Sequence, residues 1–246
     1  LTAEMDKGAA APTLFQCGNK AGLDTWGDFC YDFTGTPVYG EMTTNDFNLF
    51  KETGEVAAIG YCYECFGIIV NKTLLEKAGH TLDEIKDFAT LKAAVEDIHS
   101  RAAELGFDAF TSSGMDGSSS WRFSGHLANM PLFYEFRDDG VTAQPATITG
   151  KYLENFKNIW DLYINNSATD PTQLATATGD QAEAEFGEGK AVFYQNGSWE
   201  YANLTGKYAM SPDSLAMIPI YCGVAGEENA AVCAGTENMW AVNSKA

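Results

Sequence analysis

A few short stretches of this sequence carry side chains suited to chemistry. In GYCYECFGIIVNKTLLEKAG, residues 60–79, Tyr61, Tyr63 and Glu64 bring two phenols and a carboxylate together just ahead of an apolar run. Such a group is either a solvated strand entrance or a set of acceptors and donors for ligand hydroxyls. Trp121 and Arg122 stand at the exit of a small-residue loop, TSSGMDGSSS (111–120), as an anchored loop end or as the wall of a binding site. Trp199 follows a glycine turn in GEGKAVFYQNGSWEY, and Asn19 lies in the loop GNKAG (18–22). That loop falls at the carboxyl end of a predicted strand, where open α/β sheets bind ligands, although an asparagine there also serves as a plain turn residue.

Enzymatic signatures are mostly missing. GEGK at 187–190 lacks the upstream glycine and the following Ser or Thr of a phosphate loop, and neither G-x-S-x-G nor H-E-x-x-H occurs. His80, His99 and His126 are scattered, so neither a triad nor a histidine metal site is indicated. Cys62-x-x-Cys65 is half of a zinc ribbon or redox motif without its other half, and within a strand its α-carbons stand too far apart to bridge. Cys222 and Cys233 flank a glycine-rich turn and can face each other across a hairpin, which admits a disulfide. Neither metal nor cofactor is expected. Glu64 and Glu200 keep one enzymatic alternative open, a glycoside hydrolase with paired carboxylates.

The elements that must position these residues alternate between strand and helix, an α/β pattern. Strands are predicted at 13–17, 54–60, 66–70, 191–194, 215–220 and 239–242 from their short apolar, β-branched runs. Thr73 and Glu76 have capping-box spacing ahead of a short helix that Gly79 ends, and 81–84 repeats that spacing ahead of a long helix. Leu91, Ala94, Val95, Ile98, Ala102 and Leu105 mark one face of the long helix, which Gly106 stops. Leu153, Phe156, Ile159, Trp160, Tyr163 and Ile164 form another apolar stripe, and Asp180 is expected to cap a helix over 181–186. Residues 4–7 finish a helix before Gly8 and Pro12.

At 246 residues, 45% hydrophobic and 13% aromatic, the chain can bury one large domain or two lobes. It has 34 acidic against 15 basic residues, a formal charge of −19, so no basic patch is present to release phosphate counterions and a nucleic-acid role is disfavoured. The charge is compatible with a neutral or cationic solute, or with solubility alone. No apolar run approaches the roughly eighteen residues of a membrane span, and LTAEMDKGAAAP has no basic region followed by an apolar core. The ends at Leu1 and Ala246 read as those of a fragment or of a chain cut at both ends.

Taken in order, these segments resemble the bacterial ABC-transporter extracellular solute-binding proteins of family 1, the maltose-binding-protein-like carbohydrate class. KGAAAPTLF is similar to the family's small-residue stretch before a Pro-Asp strand, with Thr13 in place of the usual Asp. YCYECFGIIVNKTLLEKAG resembles Y-x-E-x-x-G-I-I-Y-N-K-x-L-L-x-K-A-G, with Val70 where Tyr is common. FGEGKAVFYQNGSWE resembles F-x-x-G-x-A-A-M-x-x-x-G-x-W, and AGTENMWAVNSKA resembles a late strand ending near Ser-Lys.

The resemblance implies a two-lobed, periplasmic-binding-protein-like α/β fold of type II, with crossover segments near 62–65 and 233–236. Residues 1–63 with 235–246 would form the first lobe and 64–234 the second. Because family members are longer, with an earlier first strand and later helices, the first lobe would be incomplete. It further implies a sugar-binding role: Glu64 matches a position that hydrogen-bonds sugar hydroxyls, and Trp199 a tryptophan on which a pyranose stacks. Trp121 would offer a second stacking face, with Arg122, Asp116 and Tyr63 on the rim and Asn19 and Glu237 opposite. The implied partners are a small carbohydrate ligand and a membrane permease. A monomer is expected, extracellular or periplasmic, and tethered as a lipoprotein. A cationic solute such as a polyamine on the same fold is the remaining alternative.

Overall fold

The structure is a computed structural model that describes every residue except Ser113, Gln144, Glu237 and Asn238. Among the described residues the strands are β1 (Leu14–Gln16), β2 (Leu49–Phe50), β3 (Val56–Gly60), β4 (Glu64–Asn71), β5 (Asp108–Phe110), β6 (Ala191–Gly197), β7 (Leu215–Ile218), β8 (Cys233–Gly235) and β9 (Met239–Val242). The chain divides into two compact units, Leu1–Cys65 with Ala234–Ala246, and Phe66–Cys233.

The first unit is built on an antiparallel sheet in the order β1-β9-β3-β2. All five residues of β3 are buried, which is why its sequence, VAAIG, is apolar throughout. Phe15, Leu23, Ala57, Ala58 and Ala241 form the core, joined by the thiols of Cys17 and Cys30. Gly60 must be glycine, because a Cβ there would stand 2.4 Å from the carbonyl oxygen of Phe47.

The second unit carries the sheet β5-β6-β4-β7, with β8 paired to β4. β5 and β6 run parallel, and β4 is antiparallel to both β6 and β7. One face is covered by the helices Phe88–Ser100, Leu127–Asp138 and Leu153–Asn165, whose Leu91, Val95, Ile98, Leu127 and Ile159 meet Ile68, Val70 and Phe193. On the other face Ile69 and Tyr194 pack against Ala182, Phe186 and Leu204. Cover on both faces explains why β6 is buried along all seven residues.

The predicted strands and helical stripes are present, but several boundaries differ. Asn71, not Thr73, caps the helix Lys72–Lys77, because its side chain reaches the backbone N–H of Leu74 at 3.2 Å. Thr81 and Glu84 do form a capping box, but over a single 3-10 turn. The long helix starts later, at Phe88, with its own Asp87–Thr90 box. It also breaks at Arg101 before a short helix, Ala102–Leu105. The Arg101 guanidinium reaches out to the carbonyl of Ala78 at 2.6 Å and to Asp97, a tertiary pull that periodicity does not reveal. Thr178 instead of Asp180 caps the helix Gly179–Gly187. Cys222 and Cys233 are not joined by a disulfide, and the sulfur of Cys233 lies 3.2 Å from that of Met130.

Candidate functional site

Within the second unit the ends of three elements converge on an aromatic cluster. β4 supplies Phe66, which pairs across the ladder with Gly197 at the end of β6. Directly after β6, the 3-10 turn Ser198–Glu200 carries Trp199. Trp121 precedes and His126 ends the π-helical segment Arg122–His126, which leads into the helix Leu127–Asp138.

Trp199 lies back over Gly197. A Cβ on that glycine would stand 2.2 Å from the indole ring, so only glycine leaves room for this orientation. Trp121 approaches Trp199 with ring centroids 6.2 Å apart and planes tilted by 42°. The Trp121 indole N–H donates to the Ser118 carbonyl at 3.0 Å, while 43% of the residue remains exposed. This tryptophan is thus an anchored loop end whose ring stays partly exposed. Asp116 fastens the same loop: its carboxylate accepts from the Ser118 hydroxyl at 2.8 Å, and the Ser118 and Ser119 hydroxyls hold its pKa below the usual value.

Beneath the two indoles sits His126, 6% exposed. Phe66 stacks on it with centroids 4.0 Å apart and planes within 4°, Trp121 meets it edge-on at 4.7 Å, and Trp199 lies 5.7 Å away. Gln195 holds its Nδ1 at 2.8 Å through Nε2, which makes that ring nitrogen the acceptor. Burial, reinforced by the charge of Arg122, pushes the imidazole pKa down to about 4. At neutral pH the ring is uncharged and acts as one more aromatic plate.

Behind the indoles lies a buried ion pair. The guanidinium carbon of Arg122 is 4.4 Å from the centroid of the Trp121 ring, and its Nη2 is 3.8 Å from Oε1 of Glu200. Glu200 Oε1 also accepts from Asn196 Nδ2 at 2.8 Å, and the same amide donates to the Tyr194 hydroxyl at 2.5 Å. Burial raises the Glu200 pKa and the Glu183 carboxylate raises it further, against the lowering effect of Arg122. A polar cavity of about 320 Å3, lined in part by Ser118, Arg122, Thr178, Glu183 and Glu200, opens beside the pair.

Of the residues singled out in the sequence, the structure brings Trp121, Arg122, Asp116 and Trp199 together. Tyr63 and Glu64 belong to the first unit, where Tyr63 stacks on Phe47 at 5.5 Å and Glu64 begins β4. Asn19, also in the first unit, uses its side chain to accept from Gly22 N at 2.8 Å and cap the helix Lys20–Trp26. Glu237 lies outside the described residues. Sequence reasoning missed His126 and Gln195 and gave Asn196 no role. The available signal was the polar pair Gln-Asn ending the otherwise apolar run AVFYQNG, since a fully buried strand carries such side chains only where they have partners.

Residues 1–246 match the family model of the bacterial extracellular solute-binding proteins. The chain belongs to this family. Its fold is similar to that of several solved members. They include a family 1 extracellular solute-binding protein from Bifidobacterium longum subsp. infantis (18% identity, TM-score 0.65, 100% of this chain and 62% of that one). The GacH receptor of Streptomyces glaucescens, solved unliganded and with acarbose, is similar at 17% identity and TM-score 0.65, over 100% of this chain and 61% of that one. RafE in complex with raffinose is similar at 15% identity and TM-score 0.73, over 100% and 63%. This solute-binding protein chain thus spans somewhat over 60% of the length of these structures. A comparison with curated proteins finds no match. Among the described residues, no helix is long and apolar enough to cross a membrane, and no cluster of His, Cys, Asp and Glu is arranged to hold a metal ion.

Proposed function

We propose that this protein captures a sugar or oligosaccharide outside the cell and delivers it to the membrane permease of an ABC importer, as a lipoprotein-tethered monomer. The observation that carries the reading is the pair of indoles, Trp121 and Trp199, half exposed and set over a neutral aromatic floor. A pyranose has a C–H face that covers an aromatic ring and a rim of hydroxyls that needs fixed donors and acceptors. Asp116 beside the indoles would supply acceptors, and Arg122 a planar donor. Tyr63, Glu64, Asn19 and Glu237 are proposed as contacts of the same solute. Structural relatives solved with raffinose and acarbose support a carbohydrate ligand. Capture would proceed by hinge closure where the chain passes between its two units, at 65–66 and 233–234, because a solute shifts an open–closed equilibrium only through contacts it gains in the closed state.

The geometry offers less to the alternatives. A glycosidase acid must reach the scissile bond, yet Glu200 is 6% exposed and engaged with Arg122 and Asn196. A polyamine site would favour carboxylates without a stacking pair. The test is calorimetric titration of the full-length protein with a panel of oligosaccharides and, separately, polyamines. Heat with at least one sugar and none with polyamines supports the reading. Heat with polyamines alone replaces it with the cationic one, and turnover of a chromogenic glycoside lost in Glu64→Gln replaces it with the hydrolase.

A further inference from the structure

Arg122 and Glu200 are the immediate chain neighbours of the two indoles, Arg122 following Trp121 and Glu200 following Trp199. Their side chains are only 11% and 8% exposed. Burial of this kind is a poor source of stability: two charges lose their hydration, and apolar residues of similar volume in their place are often neutral or stabilising. Here the compensation is incomplete, since Glu200 Oε2 and Arg122 Nε are both buried without a hydrogen-bond partner. A pair so costly to hold is better explained by what it orients. The Arg122 guanidinium lies over the Trp121 ring at 4.4 Å. Glu200 is fixed to the central strand through Asn196, which is fully buried and donates to it at 2.8 Å. The chain Trp121–Arg122–Glu200–Trp199 therefore closes a loop from one indole to the other, with its attractive link at 3.8 Å.

We propose that Glu200, acting through Arg122, is a positioning residue that sets the spacing and tilt of the Trp121–Trp199 surface and so determines which sugar faces it accepts. This rests on the carbohydrate reading above for its ligand, but the positioning itself has a readout of its own. Two indoles 6.2 Å apart couple their electronic transitions and give an exciton couplet in circular dichroism. Trp121→Phe removes the partner and so identifies the couplet among the signals of the other tryptophans.

The test is made on the full-length protein. Glu200→Gln keeps the shape and removes the charge, and at 6% exposure residue 200 presents little surface of its own to a solute. The couplet is expected to shrink, and the affinity for the best-bound oligosaccharide to fall about tenfold. The double variant Arg122→Met/Glu200→Met is expected to fold with unchanged or raised thermal stability while losing the couplet, which a merely structural pair would not do. It also decides the matter if Glu200→Gln does not fold. A couplet unchanged in whichever of these variants folds overturns the proposal. If no sugar binds the wild type, the carbohydrate reading fails, and the couplet still decides the positioning role.

Discussion

Trp199 owes its orientation to a residue that has no side chain. Gly197→Ala would put a methyl group 2.2 Å from the indole, so the ring must swing away from the strand end and from Trp121. The expected result is a red-shifted Trp199 emission and weaker sugar binding with little change in thermal stability; unchanged emission and affinity would contradict it. His126 gives a second prediction. Its folded pKa, about 4, lies below the ordinary 6.5, so on acidification the unfolded chain takes up the proton first. Stability attributable to this ring is full above pH 6.5, falls as pH drops toward 4, and levels off below that. Denaturant unfolding across this range should show a steeper fall of stability in the wild type than in His126→Phe. Carboxylates held at low pKa, such as Asp87 by Thr90 and Asp97 by Arg101, contribute equally to both proteins and cancel in the difference.

At the scale of elements, the buried carboxylate of Glu227 ties a loop to a helix. It accepts from the backbone N–H of Phe88 at 2.7 Å, Cys222 at 2.7 Å and Gly223 at 2.8 Å. Glu227→Ala takes the acceptor from three backbone donors, that of Cys222 buried and those of Phe88 and Gly223 partly so, and is expected to destabilise the second unit by about 3 kcal/mol in urea unfolding. The strands and the apolar stripes could be read from the sequence because they depend on local period: Leu91, Ala94, Val95 and Ile98 are all buried as their spacing implies. What could not be read depends on partners distant in sequence. The helix break at Arg101 reflects a contact with Ala78, and the caps at Asn71 and Thr178 won because their side chains reach the N3 amide first. The candidate site divides the same way. Trp121, Arg122, Asp116 and Trp199 could be picked out by residue type and by resemblance. His126 and Gln195 could not, because an imidazole kept neutral by burial is recognisable only once Phe66 and the two indoles are seen to surround it.

For the whole molecule, a formal charge of −19 distinguishes the two kinds of solute. A neutral sugar held by stacking should bind with nearly the same affinity at low and high salt, whereas a cationic solute drawn by that charge would bind more weakly as salt is raised. Measuring Kd against ionic strength checks this. The account rests most heavily on an indole face taking up a sugar, and one comparison tests that directly: calorimetric titration of the best-bound oligosaccharide into the full-length wild type and into Trp199→Ala. The account predicts a loss of at least about 1 kcal/mol of binding free energy in the variant, with the fold intact. Equal affinity in the two proteins would contradict it.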